Sequence, residues 1–273
     1  MTNIPVIQSI GNSMVKHAYS LKVPKKLKES EDFLCEGFHL VKEALRSDLK
    51  IRYLFATAKG YTSPEGQEIL LQADRLKVRC FEIPNKTVTY LADTVTPQGI
   101  LAVVAKPPKA DLQPPFGLFL AAYQIQDAGN LGTLFRSAEA FGAQGLFLTE
   151  GCCDPFNPKV VRASMGSLFR VPFDSNKPWE EHLAWCKGNG FTSLALTGNS
   201  EKTLFEYEPK MPLVLWVGSE GGGLPEELIK ACDQSCKIPM MGQVESLNVA
   251  VAASIALFYT RKGGPFLDTP ESR

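Results

Sequence analysis

Neither charge is in surplus in this chain: Lys+Arg and Asp+Glu stand at 29 each over 273 residues. Global charge provides no pull towards nucleic acid, so any basic surface has to be local. Long hydrophobic runs are missing as well. None reaches the roughly 18 residues that a bilayer span requires, and Met1-Thr2-Asn3-Ile4-Pro5 lacks the basic and apolar regions of a signal peptide. Histidine is scarce, and His17, His39 and His182 lie far apart without metal-ligand spacing. The seven cysteines form an odd, scattered set with no C-x-x-C pair. A metal site is therefore not expected, and reduced thiols in a cytoplasm fit this usage best. Cys152-Cys153, Cys232 and Cys236 are expected to be buried or idle thiols.

What is present is enough chain for two domains, each with its own core. The segment from Lys106-Pro107-Pro108 to Pro114-Pro115 holds two Pro-Pro pairs, which sustain neither a helix nor an internal strand. It is expected to be a linker over 106–115, between an N-terminal domain (1–105) and a C-terminal domain (116–264), with a polar tail over 265–273. Before the linker, Phe33-Leu34-Cys35, Ile51 to Phe55, Val78 to Phe81 and Ile100 to Val104 have strand character. Helical periodicity through Leu40-Val41-Ala44-Leu45 and Ile69-Leu70-Ala73 separates them, as in a small α/β domain. After the linker, Phe116 to Ile125, Gly145 to Leu148, Phe191 to Leu196 and Leu213 to Val217 are apolar enough to be buried parallel strands. An apolar helix from about Leu247 to Tyr259 follows.

Three segments of the second half carry the candidate chemistry. In Asp127-Ala128-Gly129-Asn130-Leu131 a strand gives way to a helix expected to start near Asn130 or Leu131, with Asn as its cap. Arg136 sits six residues on, nearly two turns away, where it would face the same cleft and bind a phosphate. Taken alone, this segment is best explained as a capped helix with a surface arginine. Gly218-Ser219-Glu220-Gly221-Gly222-Gly223 follows a buried strand, and its glycines allow a ligand close to the main chain. It is neither a dinucleotide fingerprint nor a P-loop. Glu220 would repel phosphates and would suit a hydroxyl, an amino group or a sulfonium; a glycine turn with a solvated glutamate is an equal alternative. In the third segment, Ile238-Pro239-Met240 to Gly242 is expected to be a short strand and turn, with Ser246 capping the helix that contains Asn248. Asn248 is a poor interior helix former, so its side chain is expected to have a role. Lys16, Lys22, Lys25, Lys26 and Lys28 could meet phosphates, although a solvated helix face is the commoner explanation.

Together, Asn130-Leu131-Gly132-Thr133-Leu134-Phe135-Arg136-Ser137-Ala138, Gly218 to Leu224, and Ile238-Pro239-Met240 leading into Ser246-Leu247-Asn248-Val249-Ala250 resemble the three motifs of the SpoU (TrmH-like) RNA ribose 2′-O-methyltransferases. Ile10-Gly11-Asn12, Val15-Lys16 and Phe33 to Ala44 resemble, less specifically, the ribosomal-protein-like RNA-binding domain that many members carry. The resemblance implies a C-terminal SPOUT α/β domain with a trefoil knot, S-adenosylmethionine as methyl donor, and a homodimer with its active site near the subunit interface. It implies that Asn130, Arg136, Glu220, Ser246 and Asn248 form the catalytic cluster. Thr197, Gly198, Gly218, Gly221, Ile238, Met240 and Leu247 would hold the cofactor, mainly through backbone groups. Glu220 would anchor Arg136 or the substrate. The implied substrate is structured RNA, ribosomal RNA first and transfer RNA second. A non-catalytic RNA-binding protein on the same scaffold is the main alternative. A nucleotide-binding oxidoreductase is disfavoured, because the first strand of the second half is followed by Asp127-Ala128-Gly129-Asn130 and not by a glycine fingerprint.

Overall fold

The computed structural model describes residues 4–109, 112 and 117–262. Part of the expected linker (110, 111 and 113–115), Phe116, the first three residues and the polar tail lie outside the described residues. The chain forms two compact units, Met1–Pro108 with Asp154–Arg170, and Lys109–Cys153 with Val171–Arg273.

In chain order the first unit contains α1 (Ser13–Ser20), α2 (Pro24–Glu29), β1 (Asp32–Glu36), α3 (Phe38–Arg46), β2 (Ile51–Ala56), α4 (Ala58–Thr62), α5 (Pro64–Arg75), β3 (Arg79–Glu82), α6 (Asn85–Leu91) and β4 (Ile100–Ala105). The four strands expected from the sequence are all present, in the order β1-β4-β2-β3. β4 is antiparallel to both neighbours, and β2 runs parallel to β3. β5 (Leu118–Ala122), α7 (Ala128–Ala140) and β6 (Gly145–Thr149) follow in the second unit.

Next comes α8 (Pro158–Ser164), which belongs to the first unit although the linear division at 106–115 assigns it to the second. Asn157 caps it through Lys159 N–H at 2.9 Å, with Pro158 as its first residue. Flanking aromatics tie the segment to β1: Phe33 lies 5.0 Å from the ring of Phe156 and 5.9 Å from that of Phe169. Arg162 pairs with Asp93 at 2.7 Å. A hydrophobic pattern reports that a segment is buried, not which core buries it.

The second unit continues with β7 (Phe173–Lys177), α9 (Trp179–Gly188), β8 (Thr192–Leu196), β9 (Leu213–Val217), α10 (Glu226–Ala231), β10 (Gln234–Cys236) and α11 (Val249–Thr260). Its six strands are all parallel, in the order β10-β8-β9-β5-β6-β7. β5, β6 and β9 are buried at every position, as expected of strands covered on both faces. Phe119, Phe147, Phe191 and Trp216 anchor a core beside them. The expected strand at Ile238–Gly242 is absent: β10 lies earlier, and residues 238–242 form irregular chain. β7 has no sequence counterpart because an edge strand of Phe-Asp-Ser-Asn-Lys is polar and only partly covered. Ala250, Ala253 and Ala256 are buried and let α11 lie close against α7, where the Ser137 and Ser254 hydroxyls bond at 2.7 Å.

Candidate active site

The strand order places the site. The chain moves from β5 outward through β6 to β7, then crosses to build β8, β9 and β10 on the other side of β5. A parallel sheet that reverses direction this way leaves a crevice outside the carboxyl ends of the strands at the switch point. Here the switch lies between β5 and β9, whose ends are level, Ala122 beside Val217. The segments that follow them, Tyr123–Asp127 and Gly218–Gly223, must therefore run side by side.

The second of these folds back on itself. Ser219 N–H donates to the Gly223 carbonyl at 3.1 Å, and Gly223 N–H donates to the Ser219 carbonyl at 3.0 Å. A Cβ on Gly218 would lie 2.0 Å from the Gly223 carbonyl carbon and 2.3 Å from the Leu224 nitrogen, so only glycine closes the turn. Gly223, at φ +64°, supplies the left-handed position. The turn carries Glu220 at its tip, beside the start of α7. There Asn130 Nδ2 donates to Glu220 Oε1 at 2.9 Å, with longer contacts from Asp127 N–H at 3.3 Å and Gln126 N–H at 3.5 Å.

A second bond joins the third segment. Asn248 Nδ2 donates to Asn130 Oδ1 at 2.8 Å, while Asn248 Oδ1 caps α11 by accepting from Ala250 N–H at 2.9 Å and Val251 N–H at 3.3 Å. The orientation of both amides follows from chemistry. An ionised carboxylate only accepts and a helix-terminal N–H only donates, so Asn130 must point its NH₂ at Glu220 and Asn248 its oxygen at the helix. Each NH₂ keeps a second N–H for a ligand oxygen. Burial pushes the Glu220 carboxyl up, but the bonds from Asn130 and the main chain outweigh it and hold the group below its ordinary 4.5. A carboxylate so stabilised is a weak base near neutral pH.

Asn130, Glu220 and Asn248, far apart in the chain, thus form one connected network, and three local expectations need correction. Asp127, not Asn130, caps α7, accepting from Asn130 N–H at 2.9 Å, because aspartate three residues before a free N–H competes equally well for that place. Asn248, not Ser246, caps α11; Ser246 is exposed and has no hydrogen-bond partner among the described residues. Glu220 does not anchor Arg136. Six helical residues turn through about 600°, which leaves Arg136 about 120° around the axis from Asn130, so the two do not share a helix face and the expectation that they face the same cleft does not hold within one chain. Arg136 is exposed, with no hydrogen-bond or ion-pair partner among the described residues.

The expected cofactor residues follow the carboxyl ends of three adjacent strands. Thr197 and Gly198 come directly after β8, Gly218 and Gly221 after β9, and Ile238 and Met240 after β10. Neighbouring strands lie about 4.8 Å apart, so the three loops start within about 10 Å of one another. Leu247 precedes the Asn248 cap. A Cβ on Gly198 or on Gly221 would meet nothing within 4 Å, so both border open space. The N–H groups of Ile238, Met240 and Leu247 have no partner among the described residues. Thr203 and Lys237 are joined by bonds from Lys237 N–H to Lys202 at 2.9 Å and from Leu204 N–H to Lys237 at 2.7 Å, which tie the loop after β8 to the end of β10. Among the described residues no cluster of three or more His, Cys, Asp and Glu is placed to hold a metal ion.

An α/β unit with a Gly-Ser-Glu-Gly turn and an amide network at the strand ends, and an exposed arginine further along α7, is a site without metal ligands among the described residues, and comparison with known proteins fixes the family. Residues 117–258 match the SpoU rRNA Methylase family, and residues 12–102 match the MRM3-like substrate binding domain. The chain belongs to the SpoU rRNA methylase family, whose S-adenosylmethionine-dependent RNA methyl transfer is its chemistry. It is 31% identical to the 23S rRNA (guanosine(2553)-2′-O)-methyltransferase RlmP of Bacillus subtilis, over 93% of this chain and 98% of that one. An uncharacterized tRNA/rRNA methyltransferase of Synechocystis is 32% identical over 98% of both chains. The crystal structure of an AdoMet-bound rRNA methyltransferase from Sinorhizobium meliloti superposes with a TM-score of 0.84 at 29% identity, covering 95% of this chain and 98% of that one.

Proposed function

We propose that this protein methylates a ribose 2′-hydroxyl of ribosomal RNA, with Asn130, Arg136, Glu220, Ser246 and Asn248 handling the nucleotide. The observation that carries the site assignment is the Asn248–Asn130–Glu220 chain of hydrogen bonds, which joins all three candidate segments at the sheet's switch point. The ribosomal substrate is supported by similarity to RlmP, itself a 23S rRNA 2′-O-methyltransferase.

S-adenosylmethionine fits the loops after β8, β9 and β10. Open space at Gly198 and Gly221 and the unpaired N–H groups of Ile238, Met240 and Leu247 suit a ligand gripped through the main chain, with Thr197 and Gly218 at its border. When bound, it supplies an electrophilic methyl group on a sulfonium centre. The protein's residues bring the hydroxyl into line and stabilise the charge that develops on its oxygen. Arg136 clamps the adjacent phosphate; a guanidinium keeps its proton to about pH 12 and does not serve as a plain base. Asn130 and Asn248, locked by their mutual bond, present their spare N–H groups to ribose oxygens, and Ser246 offers a free hydroxyl beside them.

The same proposal includes a homodimer, a trefoil knot and a cytoplasmic location. The dimer is supported by α11, whose Val251, Ile255 and Phe258 are 48, 39 and 58% exposed on an otherwise apolar helix. The knot is supported by the ties between the loop after β8 and the end of β10. The location is supported by seven unbridged cysteines; no helix among the described residues is long and apolar enough to cross a membrane. Incubating the protein and labelled S-adenosylmethionine with separate ribosomal and transfer RNA tests the substrate. Label in ribosomal RNA is expected, and label confined to transfer RNA would overturn that part.

A further inference from the structure

The first unit carries an aromatic feature that the methyl-transfer site does not use. Tyr19 on α1 and Tyr90 on α6 stack with ring centroids 4.3 Å apart and planes within 8°. A pair whose only task was to hold the two helices together would be buried. These rings are 37 and 39% exposed, while α1 buries Val15 and Ala18 and α6 buries Thr87, Val88 and Leu91.

The surroundings are cationic. Lys22 Nζ stands 5.8 Å from the centre of the Tyr19 ring and donates to the carbonyls of Tyr90, at 3.3 Å, and Ala92, which fixes one positive charge beside the pair. Lys16 lies three residues before Tyr19 and Lys86 four before Tyr90, spacings that put each on its tyrosine's helix face. Both lysines are exposed and have no ion-pair partner among the described residues. α2 adds Lys25, Lys26 and Lys28, and the one acidic residue on α1, α2 and α6 is Glu29. In a chain with no net charge this is a local basic surface around a parallel aromatic pair.

We propose that the Tyr19–Tyr90 pair, flanked by Lys16 and Lys86, is a stacking platform for an unpaired base of the RNA substrate. The proposal rests on the reading of RNA as substrate and adds a subsite for a single-stranded part of it. Lysines alone would suit any polyanion, an acidic protein included. Exposed parallel rings among them favour RNA with splayed bases, since every base has a π-face and a duplex hides its own.

The test uses the full chain, a hairpin RNA with a long unpaired loop, and the same hairpin with abasic loop nucleotides. Tyr19→Leu and Tyr90→Leu, which keep apolar bulk, should each weaken binding of the ordinary hairpin about tenfold and leave the abasic hairpin unaffected. Tyr19→Phe should bind as the parent does. Lys16→Ala and Lys86→Ala should weaken both hairpins equally and flatten the salt dependence. A 2-aminopurine in the loop should be quenched on saturation with the unmodified protein, a readout that stands even where a leucine variant folds poorly. Unchanged affinity in both leucine variants, equal losses on the two hairpins, or an unquenched 2-aminopurine would overturn the platform. Transfer of labelled methyl to ribosomal RNA is measured in parallel. Its absence in the unmodified protein would sink the methyltransferase reading while leaving the platform decided by the hairpins.

Discussion

The two compact units display opposite chemistry. In the first, Lys22 stands beside two exposed, stacked tyrosines, and Lys16 and Lys86 share their helix faces, which suits a phosphate backbone and base faces. In the second, the strand ends present glycines, two interlocked amides and the carboxylates of Glu220 and Asp127, with Arg136 the free cation of the first motif. Amides and main-chain groups are directional and short-ranged, whereas lysines act at longer range and lose force with salt. Under the proposed function, the first unit would gather RNA and the second would position a single nucleotide.

The division can be broken most forcefully at Arg136. Arg136→Ala should lower methyl transfer by about a hundredfold or more while calorimetric binding of S-adenosylmethionine stays normal. Near-normal transfer would remove Arg136 from the mechanism and leave the second unit without a phosphate contact. Gly218→Ala comes next. Its Cβ would collide with the main chain of Gly223 and Leu224, so the turn must open, at roughly 3 kcal/mol of stability, with loss of cofactor binding. An unchanged melting curve would show that the turn is not closed in solution.

Asn248 separates capping from positioning. Asn248→Ala should lose about 1 kcal/mol as the α11 cap disappears. Asn248→Asp keeps a capping oxygen but cannot donate to Asn130, so stability should hold while transfer falls. Equal activity in the Asp variant would make Asn248 a cap alone.

The smallest effects are those of pH. Glu220 has its folded value depressed, so its contribution is complete above 4.5 and is lost as pH falls through the lower folded value. Transfer should therefore show no titration of Glu220 between neutrality and about pH 5. His182 is buried against Phe147, and burial lowers its value below 6.5 against the opposing pull of Asp174. It binds its proton more readily when unfolded, so stability should rise with pH up to about 6.5 and then level off. A melting temperature flat across that range in the parent, matching His182→Phe, would contradict it.

Much of this architecture was legible from apolar runs. β5, β6, β8 and β9 are short and apolar, so burial alone marks them. β7 and β10 were not legible, because one is a polar edge strand and the other spans three residues. Residues 154–170 were misplaced for a different reason: Phe156 and Phe169 pack on Phe33, a long-range choice that leaves no local trace. At the site, motif order pointed to Asn130, Glu220 and Asn248, and the structure brings them together. The helix caps were offset because Asp127 and Asn130, like Ser246 and Asn248, are rival capping residues of similar strength. The stacked tyrosines lie 71 positions apart, and neither is marked in its own helix.

The most direct test of the central claim is where the methyl group goes. Ribosomal RNA treated with the protein and labelled S-adenosylmethionine can be hydrolysed with alkali, which cleaves only beside a free 2′-hydroxyl. Label recovered in alkali-resistant dinucleotides is the predicted result. Label released in mononucleotides, the mark of a methylated base, would contradict it.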